Sequence, residues 1–364
     1  MIDEKFFDEL EQLKDVRRKK IDEIKNRDLP VIIFGAGETA RGVSRHLFSF
    51  GIEVAGFAVD ENYYKPGQTY LNRPVYNFSE LAAQPDKYIF VLGVGDLHDG
   101  GKRVEKFLSD DGLTKYVFPV YMFESIRYNF IREREKKFAE TLDWLEDDFS
   151  KLTMKNYLKM LLTNDYTFNL EISAPNQYFN ELTEPVRGGV FVDCGAFRGD
   201  TIEEFVDWSG GSYKKIFAFE PDPTNFSELK KFVREKNFEN VSIFNCGVGE
   251  KKSRLTFSSN EGTSSKVSAD GDISVDVEKI DDIVKGAPVN FIKMDIEGSE
   301  LSALKGAAQT IIKNKPVLAI CAYHKSEDLI TLPQYIKSLR DDYKLYLRKH
   351  GFYTTHVESV LYAV

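Results

Sequence analysis

No apolar run in this 364-residue chain approaches the roughly 18 residues that span a bilayer. The longest are short stretches such as VIIF, YIFVLGV and PVLAICAY, which argues against a transmembrane helix and a membrane partner. A basic excess is missing as well: 49 Lys and Arg stand against 58 Asp and Glu, a formal net charge of −9. Phosphate backbones are bound by Lys and Arg neutralisation, so nucleic acid is not the expected substrate. The opening residues, MIDEKFFDELEQLKDV, carry acids where a secretory leader needs a basic flank and an apolar centre, and the expected compartment is the cytoplasm. Cysteine is scarce. Cys194, Cys246 and Cys321 lie far apart, each in an apolar, strand-like run, which suits reduced core thiols better than a disulfide framework or a zinc site.

What is present, 42% apolar and 29% charged residues, is ample for more than one buried core. Phe6, Leu10, Leu13, Ile21 and Ile24 recur at helical spacing and predict an N-terminal amphipathic helix. Within it Arg17-Arg18-Lys19-Lys20, with acids on both sides, reads as a solvated face. Short apolar runs then alternate with helical stretches: strands at 31–34, 52–59, 88–94 and 116–118, with helices at 39–50 and 102–108. Such alternation predicts a parallel sheet covered on both faces. Residues 122–162 show charges and helical spacing without a clear strand, followed by loops marked by Pro175, Pro185, Gly188 and Gly189. From Val190 the alternation resumes to the end, interrupted by a Ser- and Gly-rich stretch at 258–272 that reads as a surface loop or an extra hairpin. The expected fold is α/β: two doubly wound, Rossmann-like sheets, in 1–120 with its leading helix and in 187–364, joined by a helical connector at 121–186.

In the second sheet the turn after the first strand reads Asp193-Cys194-Gly195-Ala196-Phe197-Arg198-Gly199-Asp200-Thr201. Gly195 and Gly199 let backbone approach a ligand closely, and the helix that follows offers free N–H groups. Asp193 would repel a pyrophosphate but suits a ligand carrying an ammonium and a carboxylate, and S-adenosylmethionine is such a ligand. The second strand ends in FAFEPDP; Glu220 at its carboxyl end is placed to accept hydrogen bonds from vicinal ribose hydroxyls. Asp222-Pro223 reads as an N-cap and first helical position. In VNFIKMDIEGSELSALKG, Asp295 and Glu297 fall at the carboxyl edge of the sheet, and His324 follows the adjacent strand VLAICAY. Asp295 and His324 are the candidate catalytic residues, with neutral His324 as general base. Asp295 with Glu297 is also the candidate pair for Mg²⁺, whose ligands are oxygens.

The pieces NQYF at 176–179, VFVDCGAFRGDT, FAFEPDP, FIKMDIEGSELSALKGA, YHKSEDLITLP, YKLYLR and ESVLYAV, taken in order, make residues 170–364 resemble the FkbM-type family of S-adenosylmethionine-dependent methyltransferases. The resemblance implies a class I methyltransferase fold with a final antiparallel strand, and O-methylation of sugars or other hydroxylated small molecules. It implies that Asp193, Gly195 and Glu220 hold the cofactor while Asp295 and His324 face the acceptor. Cys246-Gly247-Val248-Gly249 and Arg348-Lys349-His350 depart from the family pattern, and no role is assigned to His350.

In the first sheet Gly35-Ala36-Gly37-Glu38-Thr39-Ala40 follows a strand and opens a helix, with Asp60 ending the next strand. This is a nucleotide-type fingerprint in which Gly35, Gly37 and Asp60 would contact a nucleotide or nucleotide-sugar. Glu38 puts a carboxylate in the phosphate cradle that Arg41 has to offset. The other reading is a unit that only docks on its neighbour or mediates homo-oligomers. Three functions therefore compete: methyl transfer to a small acceptor, nicotinamide-dependent oxidoreduction at the N-terminal fingerprint, and non-catalytic nucleotide sensing.

Overall fold

The computed structural model describes residues 4–94, 107, 113, 115–116, 128–163, 165–258, 266–267, 273–351 and 358–364. The N-terminal segment forms two helices, α1 (Glu4–Leu13) and α2 (Val16–Asn26), instead of the single one expected. The break at Lys14-Asp15 lets each helix face a different core. Phe6, Phe7 and Leu10 of α1 join the core of the C-terminal half, whereas Ile21 and Ile24 of α2 cover the first sheet. Arg17 and Lys20 are half-buried and donate to the carbonyls of Leu161 and Thr163. Carbonyls in the last turn of a helix lack intrahelical partners, so a basic side chain there meets a real need. Arg18 and Lys19 alone of the basic run are exposed.

The first sheet contains β1 (Val31–Phe34), β2 (Val54–Val59), the hairpin β3 (Thr69–Tyr70) and β4 (Arg73–Asn77), β5 (Ile89–Leu92) and β6 (Lys115–Tyr116), with α3 (Glu38–Ser49) and α4 (Phe78–Ala82) between them. Its order is β3-β4-β2-β1-β5-β6, parallel except for β3. Successive side chains of a strand point to opposite faces. Val31 and Ile33 accordingly enter one apolar cluster and Ile32 and Phe34 another. The predicted helix at 102–108 lies outside the described residues except for Phe107, which stacks on Phe34.

The connector is helical, as expected, in α5 (Tyr128–Glu133), α6 (Glu135–Trp144) and α7 (Asp148–Thr163). In the C-terminal half follow β7 (Val190–Cys194), α8 (Asp200–Trp208), β8 (Lys215–Phe219), α9 (Pro223–Glu235), β9 (Val241–Phe244), β10 (Gly247–Val248), β11 (Ser253–Ser258), β12 (Lys266–Val267), β13 (Ile273–Glu278), α10 (Ile280–Val284), β14 (Phe291–Met294), α11 (Glu300–Gly306), α12 (Ala308–Asn314), β15 (Val317–Cys321), α13 (Asp328–Leu339), β16 (Leu345–Lys349) and β17 (Ser359–Ala363). The main sheet runs β16-β17-β15-β14-β7-β8-β9, with β17 antiparallel to both neighbours. A third, small sheet runs β10-β13-β11-β12; β12 lies within the stretch 258–272 read as a surface loop or an extra hairpin and pairs antiparallel with β11, and most of that stretch is outside the described residues.

The connector is fastened to the edge of the main sheet by charge and backbone together. Arg348 on β16 reaches both carboxylate oxygens of Asp147, at 3.2 and 2.6 Å, and Ser150 accepts the Leu347 N–H at 3.0 Å. Asp147 is held below the usual carboxylate range by its bonds to Arg348 and Ser150, which outweigh its burial. All three cysteines are free and buried. Among the described residues no helix is long and apolar enough to cross a membrane.

Candidate active site

In the main sheet β7 lies between β14 and β8, so the strand order reverses at β7 and the crevice beyond its carboxyl end is where open α/β sheets bind ligands. One lip is the loop after β7. Gly195, at φ +84°, and Ala196 both donate to the Phe219 carbonyl at 3.0 Å. A Cβ on Gly195 would overlap the Asp295 carbonyl oxygen; glycine here lets the loop lie directly on the end of β14. Gly199 has a packing reason instead, since a Cβ there would meet Phe232 and Leu229 of α9.

Glu220, at the tip of β8, holds this lip in place. One carboxylate oxygen accepts the Phe197 N–H at 2.8 Å and the other the Asp222 N–H at 2.9 Å. Burial pushes its carboxyl up to about 7, against the pull of those two bonds. Asp222 caps α9 by accepting from Thr224 and Asn225, as the sequence suggested.

Asp193 is placed differently from the expectation. It is fully buried, and its Oδ1 lies 3.0 Å from Nζ of Lys293, its register neighbour on β14. Lys293 also donates to the Gly195 carbonyl at 2.7 Å. Burial disfavours a lone ammonium, but the Asp193 and Asp295 carboxylates more than offset it and hold Lys293 protonated. Direct contact between Asp193 and a ligand's ammonium group does not suit this burial. The pair acts one layer below, tying the glycine loop to β14.

The other lip gathers the acids and the histidine. Asp295 accepts from the Tyr178 hydroxyl at 3.0 Å and the Tyr323 hydroxyl at 3.3 Å. His324 Nε2 is 3.5 Å from Asp295 and 3.8 Å from Glu297, while Nδ1 is 2.8 Å from Oε1 of the fully buried Glu300. The same Glu300 oxygen accepts the Ile296 N–H at 3.0 Å, closing the turn that carries Glu297 at φ +54° and Gly298 at φ +91°. Burial alone would lower the imidazole pKa; the bond to Glu300 and the charges of Glu300, Asp295 and Glu297 outweigh it and raise it to about 9. His324 is therefore an imidazolium at neutral pH, which corrects the expectation of a neutral base. Asp295 and Glu297 offer a cation two carboxylates, and among the described residues no group of three or more His, Cys, Asp or Glu side chains is arranged to hold a metal ion.

The structure thus brings Gly195 and Glu220 to one side of the crevice and Asp295, Glu297 and His324 to the other. Sequence reasoning missed Lys293, Glu300, Tyr178 and Tyr323. The last acid of DIEGSE, Glu300, and a tyrosine directly before His324 were the available signals.

In the first sheet a Cβ on Gly35 would overlap the Gly93 backbone, so this glycine serves close packing of two loops, whereas Gly37 faces open space. The Tyr70 hydroxyl donates to the Gly37 carbonyl at 2.8 Å, and Arg41 lies 3.3 Å from Glu38. Asp60 follows β2, and its carbonyl accepts from Tyr63 and Tyr64.

Sheet order, the final antiparallel strand and the glycine loop define a class I methyltransferase fold. Residues 193–353 match the Methyltransferase FkbM domain. The crystal structure of methyltransferase FkbM from Methylobacillus flagellatus KT superposes with a TM-score of 0.76 at 27% identity, covering 99% of this chain and 97% of that one. Methyltransferase 1 of Beauveria bassiana (strain ARSEF 2860) is 27% identical over 119 residues, 25% of this chain and 48% of that protein. The chain thus spans about half the length of that curated relative.

Proposed function

We propose that this protein transfers the methyl group of S-adenosylmethionine to a hydroxyl of a small acceptor, a sugar or a similarly hydroxylated molecule, in the crevice between β7 and β14. The observation that carries the reading is the division of that crevice: a carboxylate and a glycine loop on one lip, a carboxylate and a histidine on the other. The residues fit the cofactor in part. Each Glu220 oxygen accepts one N–H in the structure, and a carboxylate oxygen has a second lone pair for a ribose hydroxyl. The Gly195 turn, where any side chain would overlap Asp295, gives the cofactor a backbone wall. Asp193 serves through Lys293 and not by contact.

When bound, the sulfonium supplies an electrophilic methyl group, so alignment and exclusion of water are the protein's main tasks. Asp295, part-exposed at the edge and fixed by two tyrosine hydroxyls, accepts the acceptor's hydroxyl hydrogen and orients its oxygen. As the oxygen attacks, Asp295 takes that proton and passes it to His324 Nε2, 3.5 Å away, once the imidazolium has released its own to solvent, and Glu300 keeps the ring turned toward the crevice. General-base assistance of this kind contributes ~10²–10⁴-fold. A divalent cation would add charge between Asp295 and Glu297; the reading does not require it. The test is incubation of the full chain with methyl-labelled S-adenosylmethionine and a set of methyl glycosides. Labelled O-methyl product whose rate falls tenfold or more in Asp295→Asn, while staying measurable, supports the reading, and label transfer that Asp295→Asn leaves intact overturns it.

A further inference from the structure

Tyr178 lies 15 residues before the matched family domain, on a loop whose backbone is unusual. Asn176 has φ +52° and Tyr178 φ +65°, a region that side-chain-bearing residues adopt only when the surroundings impose it. The surroundings here are specific. The Tyr178 N–H and the Asn180 amide both donate to the Tyr362 hydroxyl, at 3.2 and 3.1 Å. That hydroxyl is 2.9 Å from His350 Nε2, and His350 Nδ1 is 3.1 Å from the Ala174 carbonyl. A carbonyl can only accept, so Nδ1 carries the proton, Nε2 accepts from Tyr362, and the Tyr362 oxygen is left to accept from the loop. Every group in the chain has one role, and the ring is neutral: burial pushes His350 down to about 4.

The clamp delivers one side chain. The Tyr178 ring is buried, its centroid 5.5 Å from Lys293 Nζ, and its hydroxyl meets Asp295 Oδ2 at 3.0 Å with Cys321 Sγ at 3.3 Å. We propose that Tyr178, carried on a strained loop clamped by Tyr362 and His350, is a positioning residue of the methyl-transfer site that fixes the Asp295 carboxylate from the connector. The connector thereby becomes part of the site and not only a spacer. The proposal rests on the reading of Asp295 as the group facing the acceptor. It gives His350, to which the sequence assigned nothing, a place in the same chain of bonds.

The test uses the full chain labelled with [γ-¹³C]aspartate, the Asp295 resonance being assigned by its loss in Asp295→Asn. Tyr178→Phe removes only the hydroxyl and is expected to shift the Asp295 resonance more than that of any other aspartate. Tyr362→Phe, which releases the loop but leaves the Tyr178 hydroxyl in place, is expected to move the same resonance. An unchanged Asp295 resonance in Tyr178→Phe overturns the proposal. In turnover, Tyr178→Phe is expected to lower kcat by about tenfold or more, as for a lost hydrogen bond to a charged group, with KM for S-adenosylmethionine unchanged. That loss is expected to vanish in the Asp295→Asn background, because Tyr178 acts through Asp295; an equal loss in both backgrounds overturns the proposal. Should Asp295→Asn turn over like the wild type, the failure falls on the reading of Asp295, and the resonance still decides whether Tyr178 positions it.

Discussion

His324 Nδ1 and Glu300 Oε1 stand 2.8 Å apart with both side chains closed to solvent. A buried carboxylate at that distance favours the charged imidazole, which in turn needs an acceptor. The second ring nitrogen faces Asp295 and Glu297, which adds to the hold on the proton. An imidazole that would ordinarily titrate near 6.5 does so here at about 9, and this sets how the proposed base behaves.

If His324 accepts the acceptor's proton, turnover rises with pH through a limb near 9 and not near 6.5. Glu300→Gln, which removes the strongest of the charges, is expected to move that limb downward. A pH–rate profile flat from 7 to 10 would show that Asp295 alignment suffices and that His324 takes no proton.

The same proton affects folding. The folded pKa lies above the unfolded value, so the contribution is complete below about 6.5 and is lost as pH rises through about 9. Denaturant titrations at pH 6.5 and 9.5 are expected to show wild-type stability falling by up to about 3 kcal/mol from this group. The fall should be much reduced in His324→Gln. An identical pH dependence in the two proteins would mean that the Glu300 pair does not hold the proton.

Gly195→Ala places a methyl group at φ +84° and against the Asp295 carbonyl. The backbone penalty alone is ~1–3 kcal/mol, and the overlap adds to it. A thermal melt should show a clear loss of stability, together with loss of S-adenosylhomocysteine binding. Gly37→Ala, where a Cβ meets nothing, is the control and should melt close to wild type.

A fragment of residues 16–120 should be more soluble than one of residues 1–120. The longer fragment exposes Phe6, Phe7 and Leu10, which are buried in the core of the C-terminal half, whereas Ile21 and Ile24 stay with the first sheet. Light scattering of the two fragments compares them. Equal solubility would mean that α1 finds cover without the connector.

The frame of the molecule was legible because strand and helix periods are local. VIIF, VFVD, KIFAFE and FIKMD each became a strand, and the edge residues Asp295, Glu297 and His324 converged as topology required. What periodicity could not show was pairing across the fold. Asp193 was read as ligand-facing because its charge suits a ligand's ammonium group, but a lysine two residues before Asp295 supplies that cation from the neighbouring strand. His324 was taken as neutral because Glu300 sits on the next helix, where spacing gives no hint that its carboxylate turns inward. The break between α1 and α2 was hidden by a helical pattern that runs through it, and strands as short as β3, β10 and β12 carry too few residues to show a period. His350 and Tyr178 meet only through Tyr362, three segments brought together by the fold alone.

In the proposed function the crevice beyond β7 takes the nucleoside of S-adenosylmethionine on the Glu220 carboxylate. Calorimetric titration of the full chain with S-adenosylhomocysteine tests it most directly. One equivalent is expected to bind per chain, tighter at pH 8 than at pH 6 because burial pushes the Glu220 carboxyl up to about 7, and weaker by at least tenfold in Glu220→Ala, as for lost hydrogen bonds to a charged acceptor. No binding, or binding that Glu220→Ala leaves unchanged, would contradict it.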